Sequence, residues 1–147
     1  MHIRTASSAD IPAILAMERD AASAAHWTAA QYANVFSQDS QRTCWVVEQG
    51  SALQAFLVAR TLGAEWEIEN IVVAHTAQRR GLALLLMAKL MDDARAKAVD
   101  AIFLEVRASN TAARSLYAKC GFLETGRRKS YYFGPQEDAV CYTLRLR

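Results

Sequence analysis

The chain has 147 residues, of which only three are cysteine, two proline and three histidine. Cys44, Cys120 and Cys141 are odd in number and widely spaced, with no Cys-x-x-Cys pair. They suggest neither a disulfide framework nor a zinc site, and are expected to be buried, reduced and inert. His2, His26 and His75 are equally scattered, so no metal site is expected. The charge is balanced, at +2. That lacks the basic excess of a dedicated nucleic-acid binder, while mild positive charge suits an anionic small ligand. The longest helical apolar run, Leu82 to Ala88, is too short to span a bilayer, and Met1 to Thr5 holds no apolar signal core. A cytoplasmic protein without membrane contact is expected. With 52% hydrophobic and 22% charged residues, residues 1–147 read as one globular domain able to bury its own core.

The organising stretch is Gln78-Arg79-Arg80-Gly81-Leu82-Ala83. It follows the apolar run Ile71-Val72-Val73 and opens a helix read from Leu82 to about Ala96. A strand that feeds a glycine turn and a helix start leaves backbone N–H groups unpaired at the positive end of the helix dipole, an arrangement that binds phosphate. Gly81 gives the backbone freedom, Ala83 is small and helix-favouring, and Arg79 and Arg80 add charge. There is no Gly-Lys-Ser/Thr and no Gly-x-Gly-x-x-Gly, which sets aside nucleoside-triphosphate and dinucleotide loops. A plain basic helix start is the competing account of these six residues.

Along the chain, Ile3-Arg4-Thr5 begins a strand. Ser8-Ala9-Asp10 caps a helix with Ile11, Ile14, Leu15 and Glu18 on one side, and Pro12 is tolerated in its first turn. Thr28 and Gln31 form a capping box for a second short helix towards Phe36. Thr43–Glu48 and Leu53–Leu62 read as a hairpin around Gln49-Gly50-Ser51, and Glu65–Val73 as a third strand whose unbroken apolar end implies burial on both faces. Leu82, Leu85, Leu86 and Leu90 mark the apolar stripe of the third helix. Ala101–Val106 is then a buried strand, parallel to Glu65–Val73 because the intervening helix makes a crossover. Asn110 caps a fourth helix with Ala113, Leu116, Tyr117 and Cys120 on one stripe, ended by Gly121. Phe122–Phe133 and Asp138–Leu146 complete an α/β domain on a mixed sheet, joined through Gly134-Pro135.

This order, with the loop between the third long strand and the third helix, resembles the GNAT superfamily of acetyl-CoA-dependent N-acetyltransferases. The hallmark Gln/Arg-x-x-Gly-x-Gly/Ala is matched by Gln78, Gly81 and Ala83, with alanine where glycine is commoner. Leu104-Glu105-Val106-Arg107-Ala108-Ser109-Asn110, then Ala113, Leu116-Tyr117 and Gly121-Phe122, resemble the RimI branch and its relatives that acetylate protein N-termini. His26-Trp27-Thr28, Asn70-Ile71-Val72-Val73 and the tail from Arg128 to Ala139 extend the resemblance over most of the chain. Trp66, Glu67 and Glu69 depart in part from the usual strand. The resemblance implies a GNAT-like, mostly antiparallel sheet with a central parallel pair and about four helices. It also implies acetyl-CoA as cosubstrate, and a protein or peptide N-terminus, that of a ribosomal protein, as acceptor. A monomer or weak dimer without direct nucleic-acid contact is expected.

An amine attacks a thioester only as the free base, so a site for this chemistry must take a proton from the ammonium and return one to the leaving thiolate. Glu105, at the end of an apolar strand, is the expected base, matching the family's proton acceptor; an ion pair with Arg107, its same-face neighbour, is the alternative. The resemblance gives Tyr117 the role of acid, against that of a core tyrosine with one hydrogen bond. It gives the backbone of Ile71, Val72 and Val73 to the pantetheine arm, as an added strand. The pyrophosphate falls to Arg79, Arg80, Gly81, Leu82, Ala83 and Leu84, with Gln78 heading the motif. Asn110 is expected at the cofactor, as a helix cap, or both. Glu67 and Glu69 are reserve bases, or line a solvated face, or bind a cationic substrate terminus. Tyr131 and Tyr132 border the acceptor groove or pack within their strand. A GNAT acting on a small amine, and a non-catalytic acetyl-CoA sensor, are the alternative functions.

Overall fold

The computed structural model describes residues 1–21 and 24–147. The extended runs become β1 (His2–Thr5), β2 (Arg42–Gln49), β3 (Ala52–Arg60), β4 (Glu65–Val73), β5 (Ala101–Arg107), β6 (Leu123–Tyr132) and β7 (Glu137–Arg145). The periodic runs become α1 (Ile11–Asp20), α2 (Ala29–Val35), α3 (Leu82–Ala96) and α4 (Thr111–Lys119). Short 3-10 turns at Ser8–Asp10 and His75–Ala77 precede α1 and α3. The first was expected as a simple cap. Instead Ser7 opens the turn and donates its backbone N–H to the Asp10 carboxylate at 2.9 Å. The Thr28–Gln31 capping box forms as read: Gln31 N–H donates to Thr28 Oγ1 at 3.2 Å and Thr28 N–H to Gln31 Oε1 at 2.7 Å.

The strands form one sheet in the order β1-β2-β3-β4-β5-β7-β6. Only β4 and β5 run parallel, as the α3 crossover requires; the other neighbours are antiparallel. The fold is thus the expected mixed sheet with a central parallel pair and four α-helices. Alternation along β2 and β3 sorts side chains to two cores. Trp45, Val47, Ala55 and Leu57 join α3 and α4 through Leu86, Leu90 and Tyr117, while Cys44, Val46, Phe56 and Val58 pack with Ile14 of α1 and Tyr32 of α2. Leu82, Leu86, Met87, Leu90 and Ala94 form the buried face of α3. Leu85, expected on that stripe, is 41% exposed: an i+3 step from Leu82 carries it to the rim, whereas the i+4 and i+8 steps to Leu86 and Leu90 stay beneath the sheet. Among the described residues, no helix is long and apolar enough to cross a membrane.

Candidate active site

Two irregularities of β4 open the site. The strand pairs with β3 at Ala59↔Ile68 and then at Val58↔Asn70, so Glu69 is an extra residue without a partner. Such a bulge reverses the alternation that follows it. Trp66 and Ile68 face the α3 core, whereas Val72 joins the α1–α2 core and Asn70 turns to Glu18 and Tyr32. The unbroken Ile71-Val72-Val73 run is the sequence trace of this: Val72 is buried on one side, and Ile71 and Val73 pack against the other core. The second irregularity is a parting of strands. β4 and β5 pair only at Glu65↔Ala101, Trp66↔Ile102 and Glu67↔Phe103. Beyond these the two central strands diverge, and a cleft of about 690 Å³ lies between them.

That cleft receives residues from six places in the chain. Ile71 and Val73 of β4, Glu105 of β5, Asn110 and Tyr117 at α4, and Gln78 and Ala83 at the α3 loop all line it. Glu67 and Glu69, Tyr131 and Tyr132, and the segment Ala24–Trp27 line it too. Of the remaining expected cofactor residues, the Val72 side chain is buried behind β4 and Leu82 is buried under α3, so any part they play falls to their backbones. Leu84 is 43% exposed beside the first turn. Arg80 reaches the Gln49 amide oxygen at 3.5 Å; neither it nor Arg79 is among the residues lining the cleft.

The α3 loop has the form its sequence predicts. Gly81 is the N-cap, with φ of 76° and no side-chain cap bond, and the first intrahelical bond runs from Leu85 N–H to Gly81 C=O. The N–H groups of Leu82, Ala83 and Leu84 are left at the positive end of a fifteen-residue helix. A Cβ at Gly81 would meet nothing within 4 Å, so the left-handed backbone, rather than crowding, accounts for the glycine. An anionic pyrophosphate suits these donors, and the β4 edge that leaves β5 beyond Glu67 suits an extended amide-bearing arm.

Glu105 does not pair with Arg107. Its carboxylate accepts from Arg128 Nη1 of β6 at 3.0 and 3.3 Å, across the intervening β7. Arg107 is held elsewhere: it donates to the carbonyls of Phe133 and Pro135 at 3.0 and 3.1 Å, and its guanidinium lies 4.5 Å from the Tyr132 ring centre. Arg128 in turn stacks on Tyr131 at 4.3 Å. Glu67 has the more desolvated setting. Burial holds its carboxyl above the usual range, with Glu69 and Glu105 adding to the shift and Arg60, 3.5 Å away, opposing it. Glu69 is clamped by both nitrogens of Arg42 at 2.6 and 3.1 Å.

Tyr117 is 4% exposed and packs against Phe122 and Tyr142. Burial first, then Tyr132, pushes its phenol well above the usual value. The hydrogen bond expected of a core tyrosine is not formed among the described residues, because its neighbours there are aromatic rings; the side chain borders the cleft instead. Asn110 is the α4 cap, its Oδ1 accepting from Ala113 N–H at 3.1 Å, and also lines the cleft. All three cysteines are free thiols raised by burial, Cys44 to about 12. Cys120 and Cys141 are half-buried rather than buried as expected: Cys120 caps the end of α4, and Cys141 lies in mid-β7 beside Glu105 rather than in either core.

Sequence reasoning missed three contributors: Arg128 as partner of Glu105, the bulge at Glu69, and a buried polar cluster of Glu18, Asn70 and Tyr32 behind the cleft. The last had a signal, since Glu18 falls on the apolar stripe of α1 and Asn70 interrupts an apolar strand.

Residues 11–122 match the model of the acetyltransferase (GNAT) family. The chain is 32% identical over 146 residues to the [ribosomal protein bS18]-alanine N-acetyltransferase of Escherichia coli, covering 98% of this chain and 97% of that one. It is 40% identical over 88 residues to the N-alpha-acetyltransferase RimI of Mycobacterium tuberculosis, covering 60% and 52%. The crystal structure of the ribosomal-protein-S18-alanine N-acetyltransferase from Escherichia coli superposes with a TM-score of 0.88 at 30% identity, over 99% of this chain and 93% of that one.

Proposed function

This chain belongs to the acetyltransferase (GNAT) family and is an acetyl-CoA-dependent acyltransferase, and we propose that it acetylates the N-terminal α-amine of a protein. The acceptor in this reading is an alanine terminus of a ribosomal protein, in the cytoplasm. The observation that carries it is the cleft between β4 and β5, which is lined by a carboxylate, a buried phenol and the loop at the start of α3. Support for the acceptor comes from relatives that modify such termini.

Acetyl-CoA supplies an activated acetyl thioester. The chain's part is to hold it, through the N–H groups at the start of α3, the free edge of β4 and Asn110, and to manage two protons. Glu105 takes a proton from the incoming ammonium at its carboxylate oxygens, so the amine must displace or share the Arg128 guanidinium. Tyr117 delivers a proton from its hydroxyl to the departing thiolate; its raised phenol is fully protonated at neutral pH. The cysteines are raised, not activated, which favours direct transfer between two bound substrates over an acetyl-enzyme. A second reading of the base is Glu67, favoured by the burial that raises its carboxyl above the usual range.

The test is a mass-spectrometric end-point assay with acetyl-CoA, a peptide beginning Ala-Arg-Tyr, its blocked-terminus twin and a panel of small amines. One acetyl group on the free-terminus peptide alone is expected. Acetylation of small amines alone overturns the protein acceptor, and cofactor binding with no transfer to any amine overturns the enzyme assignment for these acceptors.

A further inference from the structure

Glu18 is the one residue of the α1 stripe whose side chain is charged, yet it is 2% exposed. Among the described residues it has no ion-pair partner. Its carboxylate instead accepts, on Oε1, from Trp27 N–H at 3.0 Å and from Asn70 Nδ2 at 3.0 Å. A buried carboxylate without a counter-charge is costly unless its hydrogen bonds are satisfied, and a leucine here would extend the apolar stripe at no such cost. Both bonds fall on Oε1, and a charged acceptor holds each N–H more strongly than the neutral oxygen of an amide would.

The donors share a destination. Asn70 also accepts Ala25 N–H on its Oδ1 at 3.3 Å and donates to Tyr32 at 2.9 Å. Two backbone N–H groups of the segment Ala24–Thr28, those of Ala25 and Trp27, are therefore fixed by side chains of β4 and α1. This segment has no helix or strand to hold it, and His26 within it adopts a left-handed φ of 56°, which a non-glycine residue keeps only where its surroundings impose it. It carries His26 and Trp27 to the wall of the cleft that Glu105 also lines, with Trp27 resting on Tyr32 at 5.4 Å between ring centres. Asn70 precedes Ile71, so the wall is mounted on the strand that borders the cofactor side.

We propose that Glu18 is a positioning residue: through Trp27 N–H and Asn70 it holds the segment Ala24–Thr28 in the shape that receives the acceptor, before the acceptor arrives. This rests on the reading of the cleft as an amine-acetylating site. A wall set in advance lowers the ordering cost of binding, so its loss falls on acceptor affinity rather than on the chemical step or on acetyl-CoA.

The experiment compares wild type, Glu18→Gln, Trp27→Ala and the double variant in steady-state kinetics with the Ala-Arg-Tyr peptide, alongside calorimetric acetyl-CoA binding and amide hydrogen exchange. Glu18→Gln keeps an acceptor but makes both bonds neutral, and is expected to raise acceptor KM about tenfold, the effect of losing that charge assistance, with kcat and acetyl-CoA Kd within about threefold. The double variant is expected to be no worse in KM than the weaker-binding single, because Glu18 acts through the segment. Exchange at Ala24–Thr28 is expected to quicken in Glu18→Gln while that of α3 stays unchanged. Unchanged KM in a folded variant, additive effects in the double, or KM, kcat and Kd worsening together with Tm overturns the proposal. If Glu18→Gln does not fold, Tyr32→Phe removes the hydroxyl that accepts from Asn70 Nδ2 and keeps the ring, and must raise KM in the same direction. If wild type does not acetylate the peptide, the functional reading fails, and the exchange result decides the positioning role by itself.

Discussion

Glu105 and Glu67 share a cleft but not an electrical setting. Glu105 is matched to a guanidinium that comes from an exposed edge strand, whereas Glu67 is desolvated and faces two like charges. If Glu105 is the base, Glu105→Gln lowers turnover about 10²–10⁴-fold at neutral pH and leaves acetyl-CoA affinity nearly intact; equal turnover in the two proteins passes the role to Glu67. For Glu67 the folded-state carboxyl is raised, so this group favours the fold below its unfolded pKa and disfavours it as pH rises through the folded value. Glu67→Gln therefore raises Tm at pH 8, by no more than about 2–4 °C for ~1 kcal/mol in a domain of this size, and the gain disappears towards pH 4. A thermal-denaturation series over that range checks it; a gain that grows on acidification contradicts it. Tyr117→Phe keeps the ring among Phe122 and Tyr142 and is expected to slow transfer without unfolding the domain, as full kinetics beside a melting curve would reveal.

At the scale of elements, the start of α3 and the start of α4 solve the same problem in different ways. Asn110 satisfies an N–H of α4 with its side chain, while Gly81 offers α3 only a left-handed backbone and leaves the first turn's donors for a ligand. Gly81→Ala is expected to cost about 1–2 kcal/mol from the left-handed conformation alone, since its Cβ meets open space, and to weaken acetyl-CoA binding; urea unfolding and calorimetry measure the two. Asn110→Ala is expected to cost about 1 kcal/mol of cap energy. Both starts were legible as short local patterns: a glycine before a leucine-rich run, and an asparagine three residues before Ala113. The bulge at Glu69 was not, because it is a relation between β3 and β4, and neither strand read alone contains it.

For the whole molecule, the far edge of the sheet is closed by charge. Arg4 of β1 donates to Asp10 at 2.8 and 2.9 Å and to Glu48 of β2 at 3.1 and 3.3 Å, tying the first strand, the turn into α1 and the hairpin together. Arg4 holds both carboxyls below their usual ranges. Groups so lowered stabilise the fold above their unfolded values near 4 and lose that contribution as pH falls through the folded ones. Arg4→Ala is accordingly expected to lower Tm at pH 7 and to converge on wild type as pH falls through the folded values of the two carboxyls; a constant difference across the range would show that the loss is packing alone.

The order and type of the elements, the parallel placement of β5 beside β4, the Thr28 and Asn110 caps and the left-handed glycine start of α3 were all determined by the sequence, because each depends on residues within one turn or strand or, for β5, on the crossover that the intervening helix imposes. The separation of β4 from β5, the turning of Asn70 away from the α3 core, the choice of Arg128 over Arg107 as partner of Glu105, and the gathering of Glu18, Tyr32 and Asn70 behind the cleft were decided only by the tertiary structure. Arg107 lies two residues from Glu105 on one face of the same strand, and local spacing favours it. The turn between β6 and β7 supplies carbonyls that draw Arg107 away, and the order β5-β7-β6 carries Arg128, 23 residues distant in sequence, to the vacated side.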